Sequence, residues 1–322
     1  MANINTVLGQ MDSSLLGFTL MHEHILIIDH NLKNAFPDWF DRSEFVELAV
    51  AMLKKAKAAG VNSFVDCTPV TLGRDLGVMQ EVSEKAQMPI IASTGFYYHE
   101  DPLFGITGKS AARMTKRLVT DIQKGMEGTS YKAMLIKCGT DRFGLSPLNE
   151  KMLRIVAAAQ KETSALITTH TLAPEKLGLK QLEVFDDEGV DFKKVIIGHT
   201  DDTTDLAYIT DLLDSGCSIG FDRFGHEDML PDELRIRTLK ALVDEGYAGQ
   251  IVLSHDFCAY DDFLDHEWST QREFDVAGAP WQFSYLHTHM IPAMLKAGIS
   301  AEAISQMTVE NPRRLLESVP AY

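Results

Sequence analysis

Eight apolar runs of strand length recur along the chain, ending near His24, Thr68, Thr94, Lys137, His170, His199, Asp222 and Asp256, and helical patterns separate most neighbours. The clearest helix signal is a capping box at Asp41 and Glu44, followed by Phe45, Leu48, Ala49, Met52 and Ala56 on one face, with Gly60 as the stop. The same period returns over 76–86, 111–122, 148–159, 206–213, 234–243 and 285–297. Eight strands with helical patterns between most neighbours predict a (β/α)8 TIM barrel in one domain over 1–322, a common size for a single α/β barrel. An open doubly wound sheet is the rival fold. Its glycine-rich phosphate fingerprint is absent, and it would not bring several strand ends to one point.

The ends of five of those runs carry metal-ligand side chains. In Thr19-Leu20-Met21-His22-Glu23-His24, period-two alternation predicts His22 and His24 on one face and Glu23 on the other. Lys137, His170, His199 and Asp256 close four further runs, each polar residue standing last. A lone histidine at a strand end is usually a satisfied polar group, but HxH plus two more in the same position predicts ligation. Together the six residues describe a two-metal hydrolase site.

Lys137 has two readings. It is either a cation reaching out of the barrel mouth, or a lysine carboxylated by CO2 into an anion that bridges two cations. The second supplies the negative charge that four imidazoles and Asp256 leave short. Imidazole and carboxylate donors suit zinc, cobalt, iron or manganese.

Composition narrows the partners. With 46 acidic against 30 basic residues and a net charge of -16, the surface repels nucleic acid and anionic membranes. No signal-like amino terminus and no run of 18 apolar residues occurs, so a soluble, cytoplasmic chain is expected. Cys67, Cys138, Cys217 and Cys258 are too few and scattered for a disulfide scaffold and should be reduced thiols.

The longest irregular stretch, 257–280, follows the eighth strand and carries Phe257, Tyr260, Phe263, Trp268 and Phe274, which predicts a lid over an apolar substrate. His287 and His289 fall in the last helical pattern, where spacing of two separates them, so they are expected on the surface or in helix packing. His255 should face away from Asp256.

HxH on strand 1, Lys on strand 4, His on strands 5 and 6 and Asp on strand 8 resembles the phosphotriesterase family of the amidohydrolase superfamily. The likeness extends to Ala92-Ser93-Thr94-Gly95, Ile197-Gly198-His199-Thr200-Asp201-Asp202, Gly220-Phe221-Asp222-Arg223-Phe224-Gly225, Leu253-Ser254-His255-Asp256 and Glu310-Asn311-Pro312-Arg313-Arg314. Within it, Tyr97 and Arg223 are similar to residues of the phosphotriesterase-like lactonases, which open N-acyl homoserine lactones and other lactones. The resemblance implies Tyr97 over the metals, Arg223 fixing the lid and a proton relay, Asp202 relaying protons from Asp256, and a homodimer. Plainer roles stand beside these: packing for Tyr97, an ion pair with Asp222 or Glu227 for Arg223, and a helix N-cap for Asp202.

The chemistry so implied is attack by a hydroxide bridging two divalent ions about 3.5 to 4 Å apart, its parent water acidified towards about pH 7. Asp256 would take the proton and return it to the leaving alkoxide, and Tyr97 would bond the carbonyl oxygen. The same centre suits phosphotriesters, so carboxylesterase or phosphotriesterase action is the alternative main activity. A barrel that binds without turnover is the remaining class.

Overall fold

The structure, a computed structural model, describes residues 2–98, 108–263 and 282–322. A short antiparallel hairpin, β1 (Asn3–Thr6) and β2 (Gly9–Asp12), precedes the barrel. The barrel strands are β3 (Thr19–Glu23), β4 (Ser63–Asp66), β5 (Ile90–Gly95), β6 (Leu135–Gly139), β7 (Leu166–His170), β8 (Val195–Ile197), β9 (Ser218–Phe221) and β10 (Ile251–Leu253). They pair in parallel and in chain order from β3 to β10. All eight apolar runs are thus barrel strands, and the expected (β/α)8 barrel is the fold.

Closure happens beyond β10. The Asp256 N–H donates to His22 O at 3.0 Å, His24 N–H to Phe257 O at 2.9 Å and Ala259 N–H to His24 O at 3.1 Å. The seam therefore runs through three of the candidate ligands.

The Asp41 half of the capping box forms at Arg42–Ala59, where its carboxylate accepts from the N–H groups of Ser43 at 2.9 Å and Glu44 at 3.0 Å, without the return bond to the Glu44 side chain. Gly60 ends the helix at φ 119°, a conformation that costs any residue with a Cβ. Asp41→Ala should cost about 1 kcal/mol. A urea midpoint that does not move would show that water caps this helix equally well.

Leu76–Ala86 matches its periodic segment, and Ala111–Gln123, Leu206–Asp214 and Asp232–Asp244 match theirs closely, while Pro147–Thr163 runs past its apolar pattern to Thr163. The crossover helix Leu177–Asp187 has no counterpart among the periodic segments. It opens on Lys176 in a left-handed conformation with no side-chain cap, so the usual start signal is missing. Near the C-terminus, the π turns Leu286–Met290 and Gln306–Glu310 each lead into a short helix with proline in its first turn, Ile291–Lys296 and Asn311–Glu317. Proline has no N–H to continue the α ladder, which accounts for the local widening.

Two apolar layers form the core. One lies between strands and helices and includes Leu20, Phe64, Ile136, Ile167, Ile197 and Leu253. The other fills the barrel with Met21, Val65, Ile91, Leu135, Leu166, Ile196 and Val252, joined by Ile4 of the hairpin and Leu315 and Leu316 near the C-terminus. The hairpin and last helix plug the end of the barrel away from the site, which leaves the carboxyl ends of the strands to function. Among the described residues, no helix is long and apolar enough to cross a membrane.

Candidate metal centre

Simple alternation along β3 would have sent His22 the way of Leu20, toward the helices. The register of β3 against β4 shifts between Leu20 and Glu23, and this irregularity lets His22 join Met21 inside while Glu23 turns outward. Re-aiming one side chain beside a site is a common use of such shifts. The consequence expected from the sequence survives: the His22 and His24 rings lie 5.7 Å apart on one side. Glu23, on the other, accepts from Ser254 Oγ at 2.7 Å and from the N–H groups of His255 and Phe257 at 2.8 and 2.9 Å.

His199 and Asp256 reach the same point differently. Both have left-handed backbone, at φ 55° and 54°, and both lie past the ends of β8 and β10. Such values are uncommon away from glycine and mark strain held by surrounding contacts. Here they set two side chains over the barrel mouth. The Asp256 carboxylate sits 3.2 Å from His24 Nε2, 3.6 Å from His22 Nε2 and 3.7 Å from His199 Nε2. One donor atom each from His22, His199 and Asp256 falls within 4.8 Å of the others, a spacing that could hold a metal ion.

The far nitrogens of these imidazoles are already committed. Asp222 bonds His22 Nδ1 at 2.8 Å and His199 Nδ1 at 2.9 Å, and takes the His199 backbone N–H at 2.7 Å. Thr68 Oγ1 bonds His24 Nδ1 at 2.8 Å. Each Nε2 is left for the centre, the arrangement in which outer groups orient metal-binding histidines. Burial lowers the His22 and His199 pKa values despite the opposing charges of Asp222 and Asp256, which favours the neutral, ligating form. Gly220 makes room for this carboxylate, since a Cβ there would lie 2.2 Å from Asp222 Oδ2.

Lys137 is 1 % exposed, and its Nζ contacts His22 Nε2. The reading of it as a cation reaching solvent is therefore wrong. Nor does it stand last in its strand, because Cys138 and Gly139 continue β6. Gly95, at φ 123°, allows the neighbouring strand to pass close, where a Cβ would meet Lys137 O at 2.0 Å.

His170 borders the group, its ring 4.6 Å from that of His199. Its Nε2 contacts Asp141, its Nδ1 lies 3.1 Å from Tyr97 OH, and Tyr98 stacks on its ring at 5.1 Å. Burial pushes its pKa down to about 4. Burial also holds the Tyr97 phenol well above its usual pKa, so it stays a hydrogen-bond donor.

Arg223 pairs with neither Asp222 nor Glu227. Its Nε donates to Asp256 Oδ2 at 3.1 Å and its Nη1 to Asp202 Oδ2 at 2.5 Å. Asp202 is not a helix cap: both its oxygens are taken by arginines, Arg223 and Arg235, and Asp205 caps the following helix Leu206–Asp214. Burial by itself would raise the Asp256 pKa, but His199, His24, His22 and Arg223 outweigh it and hold the carboxyl well below its ordinary value.

These groups open into a cavity of about 860 Å³, with Ile27, Leu72, Leu172, Met229 and Cys258 among its apolar walls. Of the expected lid aromatics, Phe263 lines it. Phe257 does not: it is fully buried, edge-on to Phe283 at 4.8 Å. Tyr260 packs against Phe40 and Phe45 instead. Trp268 and Phe274 lie outside the described residues. The four cysteines are free thiols, with Cys67, Cys138 and Cys217 buried. His255 turns away from the centre to Glu23, His287 packs on Phe18, and His289 stacks on Tyr285.

Asp222, Asp141, Asp201, Arg235 and His226 join the site without being among the residues that the sequence points to. Asp222 had a signal, since it closes the seventh apolar run just as the ligands close theirs. The others stand in loops or in a helix, where no strand periodicity points at them.

Comparison with known proteins agrees with this geometry. The chain is 37% identical over its full length to a phosphotriesterase homology protein of Mycobacterium tuberculosis, itself covered in full. It is 34% identical to an aryldialkylphosphatase of Saccharolobus solfataricus, over 94% of this chain and 96% of that one. It is 28% identical to an N-acetyltaurine hydrolase of Bos taurus, over 97% of each. The structure of the phosphotriesterase from Mycobacterium tuberculosis superposes with a TM-score of 0.92 at 37% identity, covering 99% of this chain and 100% of that one. The phosphotriesterase family profile matches residues 2–316, and the chain belongs to that family.

Proposed function

We propose that this protein is a binuclear metal-dependent hydrolase whose main reaction is the opening of lactones, N-acyl homoserine lactones or related γ- and δ-lactones, with phosphotriester hydrolysis as a side activity. The observation that carries the reading is the convergence of His22, His24 and His199 on Asp256, with Tyr97 and Arg223 at the edge of the same cavity.

The donor set fits divalent ions. Asp222 and Thr68 fix the imidazoles, burial favours the neutral form of His22 and His199, and Asp256 is ionised. His22, His24, Lys137, His170, His199 and Asp256 would hold two ions of zinc, cobalt, iron or manganese. A buried ammonium whose contact is an imidazole is costly, and carboxylation of Lys137 by CO2 replaces it with an anion matched to the metals. When bound, such ions supply Lewis acidity and an acidified water.

The remaining work falls to the chain. Asp256 accepts the proton of the attacking water and returns it to the departing alkoxide. Arg223 keeps that carboxylate turned toward the centre through Nε, and Asp202 anchors Arg223. Tyr97 donates a hydrogen bond to the substrate oxygen where charge develops. The apolar walls hold the part of the substrate that does not react.

The test is kcat/KM of metal-reconstituted protein for an N-acyl homoserine lactone, a γ- or δ-lactone, an aryl ester and a neutral phosphotriester. A lactone should lead by about ten-fold or more, worth about 1.4 kcal/mol. A second reading, phosphotriester or carboxylester hydrolysis as the main reaction of the same centre, draws support from the aryldialkylphosphatase relative. It would be established if one of those substrates led.

A further inference from the structure

Arg235 is the largest side chain buried completely in the described structure. It lies in the first turn of the helix Asp232–Asp244, on the far side of Asp202 from the metal ligands. A guanidinium has five donors in a rigid plane and is kept out of water only where acceptors match that plane. Here Nη2 donates to Asp202 Oδ1 at 2.8 Å, Nε lies 3.1 Å from Asp201 Oδ2, and Nη1 lies 3.5 Å from Asp232 Oδ1. Nη1 also donates to the carbonyls of His226, at 3.1 Å, and Leu230.

Asp202 is held at both oxygens, by Arg235 on Oδ1 and by Arg223 on Oδ2. With both engaged, the carboxylate has one orientation, and so does the arginine that depends on it. Asp201, also bound by Arg235, accepts from the backbone N–H groups of Asp222 at 3.2 Å and Arg223 at 3.0 Å, so the backbone that carries Arg223 is tied to the same point. The loop whose carbonyls Arg235 binds carries His226 and Met229 into the cavity wall.

We propose that Arg235 is a positioning residue for the hydrolysis: by fixing Asp202 it keeps Arg223 on Asp256, in the orientation from which that carboxylate returns a proton to the leaving group. This rests on the reading of Asp256 as proton shuttle given above. Arg235 touches neither substrate nor metal ligand. Its effect must therefore appear where proton return matters, and be smaller where the leaving group departs without a proton.

The experiment uses the metal-loaded protein and two esters of the same acid, one with an alkyl alcohol and one with p-nitrophenol as leaving group. Metal content and thermal midpoint are measured beside kcat. For Arg235→Met, the ratio of kcat on the p-nitrophenyl ester to kcat on the alkyl ester should rise by about ten-fold or more, as expected for impaired proton transfer. An equal loss on both esters, at full metal content, overturns the proposal and leaves Arg235 a structural ion pair. Should Arg235→Met fail to fold, Arg235→Lys reads the same ratio, because a lysine keeps the charge but cannot bond Asp201 and Asp202 as a planar fork.

Asp256→Asn separates the two hypotheses. If it raises the ratio and the Arg235 variants do not, the shuttle stands and the role of Arg235 falls. If Asp256→Asn leaves the ratio unchanged, the shuttle assignment fails and takes this proposal with it.

Discussion

Asp256→Asn should lower kcat by about 10²–10⁴-fold on a substrate with an alkoxide leaving group, the range general acid–base catalysis supplies. Asparagine has nearly the shape of aspartate and, like aspartate, tolerates the left-handed backbone that Asp256 adopts at φ 54°. The seam bond from its N–H to His22 O, at 3.0 Å, is a backbone contact and survives the change. What is lost is the ability to accept a proton, and with it the charge that faces His22, His24, His199 and Arg223. Metal should be retained in part, since the imidazoles keep their outer partners Asp222 and Thr68. Metal analysis beside steady-state kinetics distinguishes a silent loaded site from an empty one. A variant that turns over at the parent rate would remove Asp256 from the proton path.

The barrel was legible because its signals are local. Each strand is a short apolar run with turn residues after it, and the helix Arg42–Ala59 carries both its start, Asp41, and its stop, Gly60. The helix Leu177–Asp187 has a stop in Gly189, at φ 69°, but no side chain caps its start, and packing through Leu182 and Phe185 holds it in place. The hairpin of β1 and β2 has no such local signal, because its few residues gain their meaning from the barrel end they cover.

At the site, the candidate ligands could be read from strand ends, but their supports could not. His22 faces inward through a register shift that its own sequence does not announce, and simple alternation gives the right face for His22 and His24 relative to Glu23 but not that shift. The plainer reading of Arg223 pairs it with Asp222 or Glu227, its near neighbours in sequence. The fold offered it Asp256 and Asp202 from other strand ends. Asp141, in the loop after β6, meets His170 at the end of β7, a pairing visible only once the two strands lie side by side. Aromatic character and a place after the last strand point to a lid for Phe257 and Tyr260. The chain in fact buries Phe257 as soon as it leaves the seam.

The seam itself predicts the largest loss of stability. Glu23 is inaccessible to solvent and accepts from Ser254 Oγ, the N–H groups of His255 and Phe257 and, at 2.6 Å, His255 Nδ1. Glu23→Ala leaves several buried donors without an acceptor and should destabilise the fold by about 3–5 kcal/mol, as expected when one partner of a buried polar cluster is removed. Glu23→Gln should cost less, about 1–3 kcal/mol, because one oxygen remains and the amide turns a donor toward another donor. Urea unfolding of the metal-free protein measures both, and a Glu23→Ala midpoint equal to that of the parent would show that the cluster closes nothing. Because β3 carries His22 and leads into His24 on one side of this seam while Asp256 follows β10 on the other, loosening it should also weaken metal retention in variants that still fold. Glu23, a residue on the face away from the metals, thereby fixes the distance on which their binding depends.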